Sequence, residues 1–128
     1  MRFLQISLLS GLFLLPALPG AAESVKIRVQ SSPLAGSQYY AMSEAWPEIK
    51  LGDRLTLKRE PDNRHDRQAI RVDWHGQQLG YLPRAENRAV AAALDGGEKL
   101  EARVSKLRPL SETLDPWRRI EIEVFLIL

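Results

Sequence analysis

Short runs of alternating apolar and polar residues fill most of this chain, with one stretch of helical spacing near the middle. Val25-Lys26-Ile27-Arg28-Val29-Gln30 sends apolar and basic side chains to opposite faces, the period-two mark of a half-buried strand, and Ser31-Ser32-Pro33 ends it. Leu34 to Tyr40 reads as a second extended piece with Gly36 permitting a bend. Ala41 to Trp46 reads as a turn of helix stopped by Pro47. After the Gly52-Asp53 turn signal, Arg54 to Arg59 alternates again, with Leu55 and Leu57 on one side. Glu60 to Arg67 contains Pro61, Asp62 and Asn63 and is a loop, because such residues do not continue a central strand. Ala69 to Trp74 and Gln77 to Leu82, joined at His75-Gly76, predict a hairpin.

Pro83 suits the first position of a helix. Ala85, Ala89, Val90, Ala92, Ala93 and Leu94 give that helix a small apolar face, and Gly96-Gly97 ends it. Leu100 to Leu107 alternates cleanly, Pro109 to Pro116 is a loop, and Trp117 to Leu128 forms the last strand. That strand starts with Ile120, Ile122 and Val124 on one face and finishes as a continuous apolar run. It is therefore expected in the middle of a sheet or packed on both faces. About six short strands with one helix predict a mainly β fold, a small and partly closed barrel.

The residues before Val25 follow another pattern. Arg2 precedes an apolar run from Phe3 to Leu15, Pro16 and Pro19 break it, and Gly20-Ala21-Ala22 supplies small residues. Charged start, short apolar centre and small-residue exit predict a signal peptide over 1–22, cut after Ala22, and a periplasmic or secreted product. An uncleaved anchor or a buried first helix are the alternatives. The run falls short of the ~20 apolar residues of a spanning helix, so no stable membrane span is expected after cleavage. Residues 23–128 then make one domain.

Composition narrows the chemistry. The chain has 128 residues, a formal net charge of +2 and no cysteine. Zinc fingers, thiol proteases and redox dithiols are excluded, as is lipid attachment at the cleavage site. The bulk charge is not that of a polyanion track, but Arg54, Lys58, Arg59, Arg64, Arg67 and Arg71 cluster among carboxylates. His65, Asp66 and His75 make a poor metal constellation, and Ser105 and Ser111 lack a neighbouring base and orienting acid. The expectation is a binding protein rather than an enzyme, with no catalytic residue, metal or cofactor.

Three separated motifs then appear in order. They are Gly52 through Asn63, His65-Asp66 with Ala69-Ile70-Arg71-Val72, and Leu79-Gly80-Tyr81-Leu82-Pro83-Arg84 with Asn87. Together they resemble the HIRAN domain over nearly all of the chain from Val25 onward. The resemblance implies an OB-like β-barrel and a role in nucleic-acid binding, in which the 3′ end of single-stranded DNA enters a pocket. Larger members carry a helicase motor and a RING finger, and this sequence has neither a phosphate-binding glycine loop nor zinc-ligating cysteines.

By that resemblance, Tyr39 and Tyr40 stand at an aromatic pair that stacks on bases, and Gln38 stands where an arginine meets phosphate. Asp66 matches the aspartate that receives the terminal hydroxyl, and His65 takes the place of an aromatic neighbour. Pro83 replaces a lysine, with Arg84 adjacent. Trp117 falls at a further stacking ring. Arg64 or Arg67 would join Arg84 at phosphates.

Plainer roles stand beside these. If Leu34 to Tyr40 is a strand, one of Tyr39 and Tyr40 is core. Asp66 caps a turn, and with Asn63 and Glu60 fixes the shape of the loop. Arg59 and Arg71 are solvated strand positions, Tyr81 packs inside the barrel, and Gly80 permits a close backbone approach or a bulge. Trp46, Trp74 and Trp117 are core or rim aromatics. The competing function is an exported scaffold that binds an envelope protein, peptide or glycan with the same barrel. The oligomeric state is left open.

Overall fold

The computed structural model describes residues 25–113 and 115–128; the expected signal peptide lies outside them. Among the described residues there are six strands: β1 (Lys26–Pro33), β2 (Arg54–Arg59), β3 (Ile70–Trp74), β4 (Gln77–Tyr81), β5 (Leu100–Leu107) and β6 (Ile120–Ile127). Two helices accompany them, α1 (Met42–Ala45) and α2 (Arg88–Asp95). The strands form one sheet in the order β1-β6-β5-β2-β3-β4, and every neighbouring pair is antiparallel. The ladder itself is open. Its two ends meet at an isolated bridge, where Ala35 N–H donates to Tyr81 O at 2.8 Å and Tyr81 N–H returns to Ala35 O at 3.0 Å. The barrel is thus closed by a single residue pair just past β1.

Alternation sets the interior. Leu55, Val72, Val104, Ile122 and Val124 point inward from four strands, and Val90 and Ala91 of α2 complete the apolar cluster. Burying a Leu or Ile side chain fully contributes about 2 kcal/mol, and in a chain without cysteine this interior carries the stability. The apolar last strand is central, between β1 and β5, as its composition requires.

Several elements differ from the periodic reading. β1 runs through Ser31-Ser32-Pro33 instead of stopping there, because those residues pair with Glu123, Ile122 and Glu121 of β6. Its apolar residues Ile27 and Val29, and Val25 just before it, stay exposed, whereas Gln30 and Ser32 are buried. A bulge between Arg28 and Gln30 shifts the register there and exchanges the faces. Leu34 to Tyr40 is not a strand. Gly36 adopts φ 72° and starts a 3-10 turn over Ser37–Tyr39. Pro83 opens a turn, closed by Glu86 N–H to Pro83 O at 3.0 Å, and α2 begins only at Arg88. Trp117 lies in a 3-10 turn, Pro116–Arg118, ahead of β6.

The turn into β2 is tied to the hairpin. Asp53 accepts from Lys50 N–H at 2.9 Å and from the Trp74 indole N–H at 3.0 Å. The Lys50 backbone bond first, and the Trp74 bond second, hold the Asp53 carboxyl below its ordinary value. Arg59, Lys26 and Arg28 do the same for Asp95, Glu101 and Glu123. Groups with depressed native pKa values stabilise the fold above the unfolded value, near 4, and that contribution disappears as pH falls through the native value. Thermal melts should therefore show Tm falling below about pH 4, and Asp53→Asn should soften the fall. A Tm independent of pH in acid would contradict these contacts.

Candidate functional site

The charged loop after β2 is held from within. Glu60 N–H donates to Ala69 O at 3.0 Å, and Ala69 N–H to Asp66 O at 3.1 Å, which pinches the loop at its base. Asn63 forms an Asx turn: its Oδ1 accepts from His65 N–H at 2.9 Å and Asp66 N–H at 3.2 Å. Its Nδ2 donates to Glu60 Oε1 at 3.0 Å, and the Tyr81 hydroxyl donates to the same oxygen at 2.7 Å. Burial first, and the Glu60 bond second, raise the Tyr81 phenol above its ordinary value, so it remains a donor at neutral pH. Tyr81→Phe should destabilise the protein by about 1 kcal/mol, read by urea unfolding, because Glu60 keeps only the Asn63 contact. An unchanged midpoint would show that the hydroxyl contributes nothing.

Asp66 is fixed through both oxygens. Gln68 N–H donates to Oδ1 at 2.9 Å, and Asn87 Nδ2 donates to Oδ2 at 2.7 Å. Asn87 is fully buried at the residue before α2, yet it makes no cap of its own helix. Its amide serves Asp66 instead. Arg59 anchors the other side, with Nε and Nη2 on the two Asp95 oxygens at 2.8 and 3.1 Å and Nη1 on Ala69 O at 2.9 Å. Arg59 is thus no solvated strand position; it locks the loop to α2.

A concavity of about 290 Å³ opens where this loop meets the barrel closure, lined by Ala35, Tyr40, Asn63, His65, Asp66, Ala69, Tyr81, Leu82 and Arg84. Tyr40 and Tyr81 meet edge to face across it, ring centroids 6.0 Å apart. The floor is therefore apolar and aromatic, and the rim offers a carboxylate, an imidazole and a guanidinium.

Of the residues singled out by sequence, Tyr40, His65, Asp66 and Arg84 share this concavity. Gln38 and Tyr39 do not line it. Tyr39 is 80% and Tyr40 41% exposed, so neither is core, since the segment is a 3-10 turn rather than a strand. Arg64 and Arg67 flank a separate shallow depression with Pro61, Asp62 and Asn63. Trp117 lies outside the pocket, with the Arg118 guanidinium 4.4 Å over its ring, and its turn packs beside the Ser37–Tyr39 turn. Tyr81 was expected only as packing, and Leu82 and Asn87 carried no role beyond their places in the motif.

Gly80 explains the close fit at the closure. A Cβ there would sit 2.8 Å from Ala35 O, so the backbone approach demands glycine. The bulge is present too, in the register shift between Val72 and Asp73 opposite it.

The HIRAN domain family model matches residues 27–128. The fold is similar to the crystal structure of a protein from Lactobacillus plantarum, with TM-score 0.68 and 22% identity over 82% of this chain and 98% of that one. It is also similar to the crystal structure of the HIRAN domain of human HLTF, with TM-score 0.59 and 20% identity over 80% of this chain and 78% of that one. No curated protein matches the chain. The order of the motifs, the loop that presents Asp66 and the match over residues 27–128 lead to one assignment: the chain belongs to the HIRAN domain family.

Proposed function

We propose that the protein is a non-catalytic nucleic-acid-binding module that accepts the 3′ end of a single strand. One observation carries this reading: Tyr40, His65, Asp66 and Arg84 line a single concavity whose loop is held by hydrogen bonds at Asn63, His65, Asp66 and Gln68. The terminal base stacks against Tyr40 or His65, in keeping with the sequence-tolerant affinity of aromatic faces for bases. The terminal hydroxyl donates to Asp66, whose carboxylate is already oriented by Asn87 and Gln68. Arg84 meets the adjacent phosphate. Preorganisation lowers the entropy cost of capture.

Fluorescence anisotropy with short labelled oligonucleotides tests the proposal. Binding at low salt is expected, weakened by a 3′ phosphate that sets a second anion against Asp66. Asp66→Ala should weaken binding about ten- to a hundredfold, the worth of a hydrogen bond to a charged group. Absence of binding at low salt, or indifference to the 3′ phosphate, would defeat the reading.

Gln38 and Pro83, standing where the resemblance places cations, favour a second reading. In it the exported module binds an envelope protein, peptide or glycan in the same concavity. With residues 1–22 as a cleaved signal, the ligand is met outside the cytoplasm under either reading. The oligonucleotide titration separates them.

A further inference from the structure

The outward face of the sheet holds two arrangements that work against stability. Arg54 of β2 lies directly opposite Arg103 of β5, and Lys58 of β2 lies directly opposite Arg71 of β3. Like charges facing each other across a ladder repel. All four point outward, because Leu55, Val72 and Ala102 beside them are buried.

Carboxylates relieve part of the repulsion. Glu101 meets Lys26 at 3.0 Å and Arg54 at 3.5 Å, and Glu123 meets Arg28 at 2.9 Å and Arg103 at 3.5 Å. Asp73 holds Arg71 at 2.7 Å. The acids, however, lie beneath the bases. The Lys26, Arg28, Arg54 and Arg103 side chains are 47, 58, 74 and 52% exposed, against 20 and 18% for Glu101 and Glu123. Each of these two glutamates serves two cations, so each cluster keeps excess positive charge. Solvent meets a cationic layer pinned from below.

This layer leads to the pocket. Tyr81, in the pocket wall, pairs with Arg71, and Arg71 pairs with Lys58. Four residues along β2 from Lys58 stands Arg54, with Arg103 across from it. At about 4.8 Å per strand and 3.4 Å per residue, the path from Tyr81 to Arg103 is roughly 28 Å. We infer that this row is the exit track for a single-stranded nucleic acid whose end occupies the pocket, with phosphates lying between the opposed cation pairs. The inference rests on the single-stranded-end reading above. A single file of cations that starts at the pocket fits a linear polyanion, and an anion between Arg54 and Arg103 removes their repulsion.

Anisotropy with oligothymidylates of about three and about ten nucleotides, each with a free 3′ hydroxyl, tests it. The longer strand should bind more tightly. The double variant Arg54→Gln/Arg103→Gln should lose affinity for it on the order of tenfold, and its salt slope should fall by about 1.4, while the short strand binds as before. Lys58→Gln provides a second variant, since Lys58 is exposed and in no ion pair among the described residues. Its slope should fall by about 0.7. Equal affinity for both lengths would overturn the track and leave the pocket standing. A double variant that keeps the full length advantage would overturn it as well. If the unaltered protein bound neither strand, pocket and track would fall together, and anionic vesicles that bound in their place would assign the cationic face to a membrane surface.

Discussion

Asn87→Asp is expected to destabilise the protein by about 3–5 kcal/mol at neutral pH, the penalty of a buried charge without a partner. Asn87 is fully buried, and its Nδ2 donates to Asp66 Oδ2 at 2.7 Å. The substitution replaces that donor with an acceptor and sets two carboxylates together. Such a pair shares a proton and titrates as a unit, with a folded-state pKa raised above the ordinary value near 4. A group whose folded pKa is raised contributes stability below its unfolded pKa and loses it as pH rises through the folded value. The variant should therefore lie nearest the parent protein in mild acid and furthest below it above neutrality. Urea unfolding at about pH 4.5 and about pH 8 reads the difference. Asn87→Ala, which removes the donor without adding charge, should cost about 2 kcal/mol. An Asp variant with the same deficit at both pH values would mean that the two side chains do not touch.

The same contact shows how the site is assembled from distant parts of the chain. Asp66 comes from the loop after β2, Asn87 from the turn before α2, and Tyr40 from the turn after β1. Arg59 clamps the loop to the end of α2 through Asp95. The pocket therefore depends on barrel closure and on α2 docking at once. Perturbing either should alter binding before it abolishes folding.

The strands were legible where alternation was strict. Arg54 to Arg59 and Leu100 to Leu107 fall where the pattern puts them, because Leu55, Ala102 and Val104 are buried on the core face, although a bulge between Val104 and Lys106 interrupts the alternation of β5 near its end. Alternation failed where a bulge intervenes. Counting in twos from Leu79 puts Tyr81 inside, but Leu79 is the extra residue in the pairing of β3 with β4, so Tyr81 faces outward opposite Arg71. A pocket residue was thereby read as core. The bulge after Arg28 misled in the same way over Val29. The Ser37–Tyr39 turn follows from the left-handed backbone of Gly36, which period alone does not reveal. The motif pointed to Asp66, His65 and Arg84, but the role of Asn87 comes from a contact over 21 positions that no local pattern records.

Gly80→Ala should disturb both stability and recognition. The new Cβ meets Ala35 O at 2.8 Å, Leu34 Cβ at 3.3 Å and Ser37 N at 3.4 Å. Two of these atoms are backbone, so no side chain can swing aside, and the bridge between Ala35 and Tyr81 must open. Overpacking of this kind costs about 1–3 kcal/mol. Gly52→Ala is the control. Its Cβ has nothing within 4 Å, so only the left-handed backbone at φ +85° is penalised, by about 1 kcal/mol. Opening the bridge also separates Tyr40 from Tyr81, which face each other across the pocket. Affinity for a trinucleotide, which reaches only the pocket, should then drop for Gly80→Ala even at temperatures where the variant is fully folded, and stay unchanged for Gly52→Ala, whose turn lies outside the pocket. Equal losses of affinity in the two variants would show that general destabilisation, and not barrel closure, governs binding.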